Sequence, residues 1–109
     1  MLAENKQVEA QENCEPSQKA VFKLAELREE IDNLDEEICE LLLKRLAIAE
    51  SLADLKKELG LAIKDRQREA EVLERTAQKA NSKSKSKTLH RLFKVILEES
   101  CRIQCEKLD

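Results

Sequence analysis

The chain has 109 residues, with no tryptophan, no tyrosine, two phenylalanines, one glycine and one proline. So small a supply of aromatic and turn-forming residues argues against a sheet, which draws on both. No glycine or proline falls between Pro16 and Gly60, so nothing in that span interrupts a helix. No apolar run approaches the roughly 20 residues needed to cross a bilayer. Met1 to Ala3 run directly into Glu4, leaving no apolar segment of a secretory signal, so a cytoplasmic protein with no membrane partner is expected. Twenty Lys and Arg against 23 Asp and Glu give a net charge of −3, which does not suggest generic nucleic-acid binding. One histidine, His90, and four cysteines, Cys14, Cys39, Cys101 and Cys105, fit no zinc-ligand spacing. The thiols are expected as small buried hydrophobes or inert groups, His90 as a surface residue, and neither metal nor cofactor is expected.

What is present is charge and helix-forming apolar residues: 39% of the chain is charged and 41% hydrophobic. A composition rich in Ala, Glu, Lys, Leu and Arg points to an all-α fold of one domain. Residues 1–16 are polar and aperiodic and are expected as a disordered tail, which leaves residues 17–109 as the domain. Ser17 is a candidate N-cap for a first helix beginning near Gln18, and Gly60 sits where a C-cap belongs. Such a helix is about 60 Å long at about 1.5 Å per residue.

Along it, Leu24, Leu27, Ile31, Leu34, Ile38, Leu41, Ile48, Leu52, Leu55 and Leu59 recur at alternating intervals of three and four, forming one narrow apolar seam. The gap between Leu41 and Ile48 is filled by Arg45, a residue that must be paired or desolvated at some cost. Coiled coils tolerate a polar seam residue for register. The alternative is that Arg45 faces a pocket holding an anion. The shorter remaining helices cannot cover so long a stripe within one protomer. A homodimer in which two long helices pair is therefore expected.

Asp65 is placed to cap a second helix carrying Ala70, Leu73, Ala77 and Ala80 and ending near Ala80 or Asn81. The alternating Ser and Lys of residues 82–87 read as a solvated loop, although a basic run can also touch phosphate. A third helix is expected from Ser86 or Thr88, with Leu89, Leu92, Phe93, Ile96, Leu97 and Ile103 on one face. Ser100 and Gln104 lie within that apolar face, one turn apart, and are anomalies of the same kind as Arg45.

Arg45 and Lys56 are eleven residues apart, three turns to within about 20° of azimuth, and look the same way. Arg28 lies about 25 Å from Arg45 along one helix, so a small ligand reaches both only if an antiparallel mate supplies Arg28. Asp65, Arg68 and Glu69 share the start of the second helix, a natural place to meet an anionic or hydroxylated ligand.

The run Leu27-Arg28-Glu29-Glu30-Ile31-Asp32-Asn33-Leu34-Asp35, with Leu41-Leu42-Leu43-Lys44-Arg45 and Ile48-Ala49, resembles the opening helix of the all-helical chorismate mutases. Lys56 with Gly60, the run Asp65-Arg66-Gln67-Arg68-Glu69, and then Ser100 and Gln104 extend the resemblance over about residues 20 to 105. It implies an intertwined dimer of three-helix protomers with two equivalent sites, converting chorismate to prephenate on the route to phenylalanine and tyrosine. It further implies that Arg45, and Arg28 from the other protomer, each hold a substrate carboxylate. Lys56 and Gln104 would donate to the ether oxygen, and Glu69, with the backbone at Asp65, would bind the ring hydroxyl. Arg68 would act near the same end, and Ser100 would assist at a carboxylate. Two other readings stand beside this one: an isochorismate pyruvate-lyase of the same fold, and a non-catalytic helical adaptor.

Overall fold

The computed structural model describes residues 17–109; the expected tail, residues 1–16, lies outside them. The architecture is all-α, with α1 at Gln18–Leu59, α2 at Arg66–Ala77 and α3 at Lys83–Leu108. No helix among the described residues is long and apolar enough to cross a membrane.

The ends of α1 follow from its sequence. Ser17 Oγ accepts the Ala20 N–H at 3.0 Å, satisfying one of the first-turn donors. At the other end Gly60 has φ +71, a left-handed conformation that only glycine adopts without steric cost. The Leu61 N–H then reaches the Lys56 carbonyl at 2.7 Å and the Gly60 N–H reaches that of Lys57 at 3.2 Å, the paired bonds of a Schellman cap.

The described residues divide into two units, residues 17–39 and residues 40–109. In the first, the described part is helix alone, and Leu24, Leu27, Ile31, Leu34 and Ile38 are 45–56% exposed. In the second, α2 packs on α3, and the buried apolar residues are Ala49 and Ala53 of α1, Val72 of α2 and Leu97 of α3. Two alanines one turn apart let neighbouring side chains come close to the α1 backbone. Leu41, Ile48, Leu52, Leu55 and Leu59 remain 43–68% exposed, so the seam of the second unit is also left bare.

Three local expectations need correction. Helix α2 ends at Ala77, not near Ala80 or Asn81. Lys79 and Ala80 turn back to the Thr76 and Ala77 carbonyls at 3.1 and 3.3 Å, so the three–four apolar spacing continues through a tight turn. The face of α2 is also displaced: Ala70 is exposed and Val72 is the buried residue. Residues 82–87 are not a loop. Ser82 accepts the Lys85 N–H at 3.2 Å as N-cap and Thr88 Oγ1 donates to the Ser84 carbonyl at 3.2 Å, so α3 begins at Lys83. Lysine is a good helix former, and one serine supplies the cap, which makes the alternation a helix start.

The thiols are not the buried hydrophobes that were one expectation for them, since Cys39 and Cys105 are exposed and Cys101 is half-buried. Cys14 lies outside the described residues.

Candidate active site

The three–four spacing of α1 carries a second row beside the apolar seam: Arg45, Ala49, Ala53 and Lys56. The two alanines are buried and the two cations half-buried, so small residues form a floor with a positive group at each end. Opposite stand Ser100 and Gln104 of α3, only 6% and 4% exposed. Buried polar groups require partners, and these two find theirs on α1.

Arg45 Nη1 donates to Ser100 Oγ at 2.6 Å. Lys56 Nζ donates to Gln104 Oε1 at 3.0 Å and to the Ile63 carbonyl at 2.5 Å. Gln104 Nε2 turns back to the Ser100 carbonyl at 3.1 Å. Among the described residues neither cation is paired with a carboxylate; all of these acceptors are neutral.

The connection after Gly60 brings α2 across the opening. Asp65 caps it, its Oδ1 accepting the Arg68 N–H at 3.0 Å. Glu69, in the first turn, accepts from Lys64 Nζ at 2.9 Å on Oε1 and from the Cys101 thiol at 3.5 Å on Oε2. The Arg68 guanidinium is exposed and stands 3.7 Å from Glu71.

The Lys64 hydrogen bond is the main influence lowering the Glu69 pKa below the ordinary value, against an opposing push from burial. The same bond raises the Lys64 pKa. Burial is the main influence raising the Cys101 pKa, and the Glu69 hydrogen bond adds to it, so this thiol keeps its proton at neutral pH.

These groups enclose a cleft of about 250 Å³ floored by Ala49, Val72 and Leu97. Arg45, Lys56, Asp65, Arg68, Glu69, Ser100 and Gln104, all expected from the sequence, line it together. Arg28 is not among the lining residues; it belongs to the unit of residues 17–39 and is exposed. Glu69 on the rim is paired with Lys64, while Asp65, bonded to a neutral N–H, keeps its charge. Arg45 and Lys56 outnumber that one carboxylate, and the excess of positive charge in the cleft suits an anion.

Ile63 and Lys64 were not singled out in the sequence, and Cys101 was weighed only as a metal ligand or an inert thiol. The Ile63 contribution is a backbone carbonyl, which no side-chain pattern reveals, and Lys64 reaches Glu69 only because the connection folds back. Cys101 had a legible signal: it directly follows Ser100 and lies one turn before Gln104, on the same side of α3.

Comparison with known proteins gives the family. A family model described as chorismate mutase type II matches residues 27–105. A chorismate mutase of Methanocaldococcus jannaschii is 28% identical over 90 residues, covering 82% of this chain and 91% of the relative. The solved structure of a conserved hypothetical protein from Pyrococcus furiosus superposes with a TM-score of 0.64 at 43% identity, covering 75% of this chain and 95% of that one. With the family match extending from α1 to the last turns of α3, the chain belongs to the chorismate mutase type II family.

Proposed function

We propose that this chain catalyses the rearrangement of chorismate to prephenate in the cytoplasm, as a homodimer with shared active sites. The observation that carries the reading is the anchoring of Arg45 and Lys56 by Ser100, Gln104 and the Ile63 carbonyl, with no described carboxylate beside either cation. Family membership supports the reaction.

In this rearrangement the ether C–O bond breaks while a C–C bond forms within one molecule, and no proton changes hands. A site for it needs neither nucleophile nor base. It needs to hold a flexible dianion in its compact conformer and to meet the negative charge that grows on the ether oxygen.

Arg45 offers a fork suited to one carboxylate, held in place by Ser100. Lys56 has given two of its three N–H donors to neutral acceptors and keeps a third for the ether oxygen. Gln104 holds Lys56 through its carbonyl and spends one N–H on the Ser100 carbonyl, leaving its second N–H for the same oxygen. Glu69, kept ionised by Lys64, accepts from the ring hydroxyl, and Asp65 and Arg68 border that end.

The second carboxylate is assigned to Arg28 of the other protomer. The seam on α1, bare from Leu24 to Leu59, supports pairing of two such helices, since an apolar strip of that length is a liability in a monomer. Antiparallel pairing brings Arg28 of one chain toward Arg45 of the other.

The direct test is to incubate the protein with chorismate and with isochorismate and to identify the products. Prephenate from chorismate is expected. Salicylate and pyruvate from isochorismate, with chorismate untouched, would overturn the assignment in favour of a lyase, and no turnover of either would overturn it in favour of a binding protein.

A further inference from the structure

Resting on the reading of Glu69 as acceptor of the ring hydroxyl, we infer that Cys101 is a positioning residue: its thiol, together with the Lys64 ammonium, holds the Glu69 carboxylate in a single orientation toward the cleft. The backbone of Glu69 is fixed by its N–H bond to the Asp65 carbonyl at 3.0 Å, but its side chain has three torsions and begins in the first turn of α2. Two donors from different segments restrain it. Lys64, in the connection before α2, takes Oε1 at 2.9 Å, and Cys101, on α3, takes Oε2 at 3.5 Å. With one donor on each oxygen, each oxygen keeps a lone pair for the substrate.

The placement of Cys101 fits a pattern on α3. Ser100 fixes Arg45, Gln104 meets Lys56, and Cys101 between them fixes Glu69. Residues of one helix thus orient a polar group from each of the other two.

Protonation favours the arrangement as well. Lys64 and Arg66 face Glu69 with positive charge and keep it an acceptor, while burial and the Glu69 carboxylate, against Lys64 and Lys56, keep the Cys101 proton in place to be donated. Asp65 and Arg68 border the same end of the cleft.

The test compares wild type, Cys101→Ala and Cys101→Ser in steady-state kinetics with chorismate. Cys101→Ala is expected to raise KM about fivefold with a smaller change in kcat, the scale of one lost hydrogen bond. Cys101→Ser retains a donor and is expected to stay within about twofold of wild type. Alanine and serine both remove the volume of the sulfur, so a mere loss of packing would impair them alike. Equal behaviour of the two variants, at either level, would overturn the role of Cys101.

A second readout does not depend on turnover. The Glu69 carboxyl titration, followed by ¹³C NMR in the full chain, is expected to move upward in Lys64→Met and to return in Lys64→Arg. An unmoved midpoint would overturn the clamp. A moved midpoint in a protein that turns over no chorismate would uphold the clamp and overturn the substrate reading instead.

Discussion

Arg45 and Ser100, 55 residues apart in the chain, meet at 2.6 Å between the guanidinium and a hydroxyl that is almost wholly buried. A cation with a neutral partner is held in place without being neutralised, and its charge stays available to a ligand. Loss of the hydroxyl is expected to cost the orientation of Arg45. Ser100→Ala should lower kcat/KM about twentyfold, within the range for a hydrogen bond to a charged group. Arg45→Lys should not rescue Arg45→Ala, because an ammonium cannot reproduce the fork. Kinetics of the three variants with chorismate check this.

Lys56 and Gln104 share the proposed oxyanion position and also bond one another at 3.0 Å. Lys56→Ala and Gln104→Ala are each expected to lower kcat about a hundredfold or more, the scale of one preorganised donor. The double variant should lose less than the product of the single losses, since each side chain positions the other. Near-wild-type kcat in Lys56→Ala would remove it from the chemistry.

Gln104 donates as an amide at any ordinary pH, so activity is expected to be flat through neutrality. In Gln104→Glu the side chain can donate only when protonated, and activity should rise as pH falls. A pH–rate profile of both proteins distinguishes these outcomes.

The Glu69–Lys64 pair carries a stability signature. A carboxyl whose pKa is lower in the folded chain stabilises it above the ordinary glutamate range, and that stabilisation is lost as pH falls through the folded value. Lys64→Met should therefore lower the melting temperature slightly at neutral pH and leave it unchanged well below that range. Lys64 is exposed, so solvent screening keeps the effect small.

Gly60 offers a test independent of the site. A Cβ added there meets nothing within 4 Å, so the cost of Gly60→Ala comes from φ +71 alone. A loss of about 1 kcal/mol in chemical denaturation is expected, with kinetics little changed.

Much of this was legible because the signals were local. Ser17, Gly60 and Asp65 each mark a helix end through a side chain or a backbone conformation peculiar to that residue type. Ser100 and Gln104 were visible as polar residues in an apolar face, and their burial is what that anomaly implies. The end of α2 was not legible, because Ala77 and Ala80 stay half-buried through a turn as they would in a helix. The start of α3 was misread because alternating Ser and Lys suits a loop until Ser82 is seen to cap it. Partners of the site that come from the backbone or from the connection, the Ile63 carbonyl and Lys64, carry no periodic signal. The seam on α1 was legible as one apolar stripe, and it is bare in the single chain.

That seam leads to the claim on which the rest turns, that one α1 helix serves two active sites, Arg45 and Lys56 in its own and Arg28 in its partner's. Arg28→Ala and Arg45→Ala proteins should each be nearly inactive. Mixed in equal amounts and allowed to exchange, half of the dimers should be heterodimers with one intact site of two, restoring about one quarter of the wild-type rate with chorismate. No recovery after exchange has been verified, for instance by mass spectrometry of differently tagged chains, would contradict it.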